Sequence, residues 1–152
     1  MSFLLPGWFR YPGIVFILAG SVLAYIRFSM GIKPDFLEMQ TFAVYSSYFD
    51  SKFFQLIGNN MSEEIIGVLV VSGLGFLAFA RDKNESVITI HLRVRALFIS
   101  MYAELCFLIL SFVFFYGLAF VYMLILDVCF PLVIFILVYR ISLLRRKQVK
   151  NA

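Results

Sequence analysis

Apolar residues in this chain gather into four runs of membrane-spanning length, and the polar residues collect between the runs rather than mixing into them. The runs cover about residues 13–30, 64–80, 96–116 and 118–139. A helix of about 20 residues crosses the roughly 30 Å of bilayer hydrocarbon, and each run comes close to that length. Backbone N–H and C=O groups in hydrocarbon must bond within their own segment, so each run predicts a helix. Between them lie a long segment at 32–62, a charged loop at 81–95 and a basic tail at 140–152. The expectation is an all-α membrane protein, a single four-transmembrane-helix bundle with a short non-cytoplasmic cap between helices one and two.

The punctuation supports those limits. Pro6, Trp8, Arg10, Tyr11 and Pro12 read as an interfacial lead-in, because Trp and Tyr favour the headgroup level. The first run resembles a secretory apolar core, but Arg27 and Lys33 just beyond it make a poor cleavage context, so a retained helix is expected. Gly31 and Pro34 bracket its end. Gly20 and Ala24 in that run, and Gly67, Ser72, Gly73, Gly75 and Ala78 in the second, offer thin surfaces for close helix approach. The second run lacks the GxGxxG order and strand context of a phosphate loop. Asn60 with Glu63 three residues on predicts a capping box ahead of it. In the cap, Thr41–Tyr45 and Lys52–Ile57 suit either two short strands around a turn or short amphipathic helices. Asp82 or Asn84, with Glu85 in the first turn, can start a helix that runs unbroken into the third span. Gly117 marks a tight hairpin between spans three and four.

Composition strengthens this picture. A hydrophobic share of 62 % and a mean hydropathy of +0.95 lie far above a soluble domain's, and only 14 % of residues are charged. The net charge of +4 is no sign of nucleic-acid binding, because nine of the thirteen basic residues lie in the 81–95 loop and the tail, with Arg10 alone in the lead-in. By the positive-inside rule all three face the cytoplasm, which predicts a multi-pass protein of the plasma membrane with both termini inside. Cys106 and Cys129 lie within apolar runs without CxxC spacing, and read as buried small hydrophobes. Neither a redox pair nor a metal site has its ligands, and no cofactor is implied.

Candidate chemistry rests on a few polar residues inside the runs. On a helical wheel Thr89, Arg93, Ser100, Glu104 and Ser111 fall within roughly 60° of one another, so the third span carries a polar stripe that must face protein or water. Glu104, Ser100, Ser111 and Arg93, with Asp127 on span four, could line an ion path. Alternatively, Glu104 is a protonated acid hydrogen-bonding between helices. Counting from the Gly117 turn leaves Glu104 and Asp127 offset by roughly 6 Å, too far for a shared-proton pair. Pro131 cannot bond the carbonyl of Asp127, which predicts a kink there. Arg27 could descend to an ion pair with Asp127, or snorkel to headgroups or to Glu63 and Glu64. His91 and Arg95 share a solvated face. No activated nucleophile or second histidine is present, so no catalytic residue is assigned.

The stretches NNMSEEI, FLAFARDKNE followed by IHLRVRAL, FFYGLAF and CFPLVIF resemble an uncharacterised family of small four-span membrane proteins of Bacteroidota-type bacteria, over nearly the whole chain. The most specific piece is Phe76 to Arg95. The resemblance implies four spans and a bacterial inner membrane, and it carries no activity. It also implies that the positions of Glu104 and Asp127 are often amides, which favours hydrogen bonding over proton traffic. The expected role is a structural, assembly or partner-interaction subunit, contacting the lipid bilayer and either itself as a homo-oligomer or another membrane protein. The alternative is a channel or transporter element with an intramembrane acidic path.

Overall fold

The computed structural model describes residues 4–47, 51–82 and 87–151. A 3-10 turn, Gly7–Phe9, leads into helix α1 at Arg10–Ala24, which closes in a π-helical turn at Tyr25–Ser29. Strands β1 at Glu38–Ser47 and β2 at Ser51–Asn60 form an antiparallel hairpin, with Glu38 opposite Asn60 and Ser47 opposite Ser51. Helices α2 at Ser62–Phe79, α3 at Val87–Phe114 and α4 at Leu118–Asn151 follow. Four helices are long and apolar enough to cross a bilayer. The chain is thus an all-α multi-pass membrane protein whose element order fits a four-helix bundle, and of the two readings of the cap the hairpin is the one formed.

Helix limits follow local chemistry. The first helix begins earlier than the hydropathy run because Pro12 sits in its first turn, where the missing N–H costs nothing. It ends in a π turn, in which the Met30 N–H reaches back to the Tyr25 carbonyl, and then at Gly31 with φ of 67°. The α2 start departs from the expected capping box. Asn60 accepts from the Ser62 N–H at 3.2 Å while its amide donates to the Pro34 carbonyl at 3.0 Å, and the Glu63 side chain is engaged by Arg27. The expected cap at Asn84 and Glu85 lies outside the described residues. Gly117, with φ of 65°, makes the turn between α3 and α4, as anticipated. Pro131 lies inside the assigned span of α4.

The chain divides into two compact units. The first comprises residues 1–16 and 71–152. Its apolar core gathers Ala78, Ala96, Phe135 and Tyr139, with Leu92, Leu132, Ile136, Val138 and Leu143 packed around them. Farther along the α3–α4 hairpin, Phe107 stacks on Phe130 and Phe112 meets Phe120. The lead-in is stitched to the end of α2 by backbone bonds: Leu5 N–H donates to the Phe79 carbonyl, and the Arg81 N–H donates to Leu5. The second unit, residues 17–70, contains the π turn, the hairpin and the first half of α2.

Small residues matter where backbones approach, though not everywhere the sequence suggests. A Cβ on Gly13 would sit 3.0 Å from the Gly73 carbonyl oxygen and 3.1 Å from Phe76 Cβ. On Gly20 it would sit 2.9 Å from Val70. Gly67 and Gly75, by contrast, have open space where a Cβ would go, so neither is needed for close packing. Gly13→Val should therefore destabilise the protein by about 1–3 kcal/mol through overpacking. Gly75→Ala should be neutral or stabilise by up to about 1 kcal/mol through helix propensity. Thermal unfolding of the two variants in a mild detergent checks both.

Candidate functional site

The densest polar constellation surrounds Asp82, in the connection between α2 and α3. Its Oδ1 accepts from Arg10 Nη2, and its Oδ2 accepts from the Tyr139 hydroxyl and, at 3.3 Å, from Arg93 Nη2. One carboxylate thereby binds the start of α1, the α2–α3 connection, α3 and α4. Arg93 adds two bonds to carbonyls at the end of α2, Nη1 to Ala78 at 3.3 Å and Nη2 to Ala80 at 2.8 Å. Its guanidinium also lies 4.6 Å from the centre of the Tyr139 ring, a cation–π contact. Phe135 stacks against Tyr139 from the apolar core, so the polar cluster sits directly on that core.

Each member is placed by its helix. Arg93 and Ala96 lie about one turn apart on α3, so the face that presents the guanidinium also packs Ala96 into the core. The end of α2 leaves carbonyls without intrahelical donors, and Arg93 caps two residues there. Arg93 is 7 % exposed and Tyr139 is 4 % exposed. A buried guanidinium needs both a counter-charge and acceptors, and here it has both. Burial by itself would raise the Asp82 carboxyl. The hydrogen bonds from Tyr139 and Arg10, with the charges of Arg10 and Arg140, outweigh it and hold the group below the ordinary 3.8.

The stripe expected on α3 faces protein: Thr89, Arg93, Ser100 and Ser111 are all buried. Glu104 is only half-buried. The structure does not gather these residues into one site. Arg93 belongs to the Asp82 cluster, Ser100 donates to the Leu97 carbonyl at 2.8 Å within its own helix, and Ser111 Oγ has no hydrogen-bond partner. Asp127 is half-buried on α4, and its Oδ1 has none either.

Of the alternatives for Arg27, the pair with Glu63 is the one seen, with Nη2 donating to Glu63 Oε1 at 2.6 Å. The π turn that carries Arg27 lies beside the first turn of α2, where an ionised Glu is cheaper to hold than an acid in mid-helix. Cys106 is exposed on α3 rather than buried, while Cys129 is partly buried, and both are free thiols. His91 and Arg95 are exposed. Among the described residues no group of three or more His, Cys, Asp or Glu is arranged to hold a metal ion.

Asp82, Arg10 and Tyr139 are the residues that reading the sequence passed over. A usable signal was present: Arg10, Arg93 and Tyr139 all lie at the same expected edge of their spans, with Asp82 the acid in the loop between two of them. What the hydropathy pattern lacks is azimuth, the direction each side chain takes around its helix. Compared with protein-family models, curated proteins and solved structures, the chain matches none.

Asp82→Asn should cost about 3 kcal/mol, because two guanidiniums lose the charge that compensates their burial. Glu63→Gln, at a half-exposed pair, should cost no more than about 1 kcal/mol. Because the Asp82 carboxyl is depressed in the folded state, its contribution is complete above about pH 5 and fades as pH falls through the folded value, below 3.8. Melting curves from pH 7 down to pH 3 check this, and Asp82→Asn should flatten the acid limb.

Proposed function

We propose that this protein is a structural or assembly subunit of the bacterial inner membrane, with both termini cytoplasmic, that works through a membrane-protein partner or as a homo-oligomer. The supporting observation is how the Asp82 cluster uses its donors. Arg93 and Tyr139 bond to the chain's own carboxylate and carbonyls, an arrangement suited to holding helices together rather than to turning over a substrate. The reading is accordingly non-enzymatic. Two further features suit a partner. Only 6 % of the apolar window of α4 is buried within the chain. At about 1.5 Å per residue α4 is also roughly 50 Å long, some 20 Å more than hydrocarbon requires, so its basic end extends beyond the bilayer.

A second reading, a channel or transporter element, draws support from Asp127 Oδ1 and Ser111 Oγ, buried atoms without hydrogen-bond partners on the α3–α4 hairpin. An unpaired acid in a transmembrane helix is a reason to test for ion traffic.

Affinity purification from native membranes, followed by mass spectrometry, tests the first reading. A stoichiometric membrane protein or a defined oligomer should co-purify. A monomer carrying only lipid, under conditions that keep other membrane complexes intact, would remove its basis. The second reading predicts proton or cation flux in proteoliposomes that Asp127→Asn abolishes.

A further inference from the structure

We infer that the Asp82 end of the first unit binds the phosphate of an anionic phospholipid, with Arg10 as its principal ligand. The argument starts from charge. Within the described part of this unit the acids are Asp82, Glu104 and Asp127, and only Asp82 stands at this end. Against it stand Arg10, Arg93 and Arg81, and Arg140 is close enough for its charge to help keep Asp82 ionised. The tail adds only basic residues, Arg145, Arg146, Lys147 and Lys150. Among the described residues at this end, the arginines thus outnumber the one acid, and the region carries a net positive charge.

Arg10 is the member built to receive it. Its single hydrogen bond runs from Nη2 to Asp82, which leaves the rest of a five-donor fork unused. Its Nε is buried and has no acceptor, yet 26 % of the side chain remains exposed. The guanidinium is thus oriented by Asp82 and only partly satisfied by it. Phosphate oxygens match such a fork in a bidentate way, which an ammonium could not reproduce. Arg81 and Arg140, both exposed, add charge around it.

The surroundings point to a lipid as the source of that phosphate. Trp8 and Tyr11, which flank Arg10 in sequence, are 61 % and 74 % exposed. Exposed Trp and Tyr at the end of a membrane helix mark the headgroup level. The platform beneath is held in place, because the lead-in is bonded through Leu5 to Phe79 and Arg81, and a Cβ on Gly7 would lie 2.9 Å from the Arg81 carbonyl oxygen. A bound phosphodiester would place its acyl chains along the exposed apolar residues Ile14 and Val15 of α1. The inference depends on the chain lying in a bilayer and not on any protein partner.

The test is native mass spectrometry of the purified full chain titrated with phosphatidylglycerol or phosphatidylcholine, with melting temperature followed in parallel. The wild type should retain phosphatidylglycerol in preference, and that lipid should raise its melting temperature while phosphatidylcholine does not. Arg10→Lys keeps the charge and loses the fork, and should weaken retention about tenfold, the scale of one charge-assisted hydrogen bond. Arg140→Gln leaves every hydrogen bond of the Asp82 cluster in place and should reduce the preference less. It also keeps the question open to measurement if the Arg10 variant fails to assemble. Equal retention of the two lipids by the wild type would overturn the assignment. So would an undiminished preference in both variants, or a full stabilising effect from inorganic phosphate alone, which would make the ligand a soluble anion.

Discussion

A charge placed at the edge of hydrocarbon must be neutralised locally, and at one end of this protein that requirement organises everything nearby. Arg93 is nearly shut from solvent, one turn from the core residue Ala96. It can be there only because Asp82 and the carbonyls of Ala78 and Ala80 receive it. Asp82 in turn holds Arg10 and Tyr139, so four separate segments of the first unit meet at one carboxylate. The apolar cluster of Ala78, Phe135 and Tyr139 then packs directly against that junction. Polar bonding and core packing reinforce each other because Tyr139 belongs to both.

In a bilayer this division of labour has a physical basis. Lipid chains are as apolar as Leu side chains, so burying hydrocarbon between helices gains little, and close packing with specific polar contacts has to set the arrangement. Packing appears at Gly13 and Gly20, where the neighbouring helix leaves no room for a methyl group. Polar contact appears at Asp82. The many exposed Phe, Leu, Val and Ile residues along the helices are then the ordinary lipid-facing surface of such a protein. Against that background, the arginine excess around Asp82 and the basic end of α4 are the features that stand apart from a lipid-facing surface.

How much was legible beforehand depended on the range of the interaction. The polar stripe on α3 was readable because the helical period relates residues on one rod, and four of its five members are buried. The Gly117 turn was readable because a left-handed residue between two apolar runs has few alternatives to glycine. The partner of Arg27 was not, since depth estimates from residue counts place Glu63 and Asp127 within similar reach. A π turn, invisible in the hydropathy pattern, carries the guanidinium that pairs with Glu63. The glycines of α2 show the same limit. The Gly73 carbonyl lies against Gly13 while a Cβ on Gly67 or Gly75 would meet open space, and nothing in their spacing distinguishes them.

The sequence by itself determined that the chain has four membrane helices, their approximate ends and which face of α3 turns inward. These follow from hydropathy, backbone hydrogen-bond satisfaction and helical periodicity, all properties of contiguous residues. The tertiary structure alone decided that Asp82 is a junction. It also decided that Tyr139 is a hydrogen-bond donor to that junction and that Arg10 is its outermost ligand. Those roles need side chains separated by 57 and 72 positions to meet, and helix rotation sets such meetings. Rotation leaves no trace in a pattern of apolar and polar residues until a second helix is there to be faced.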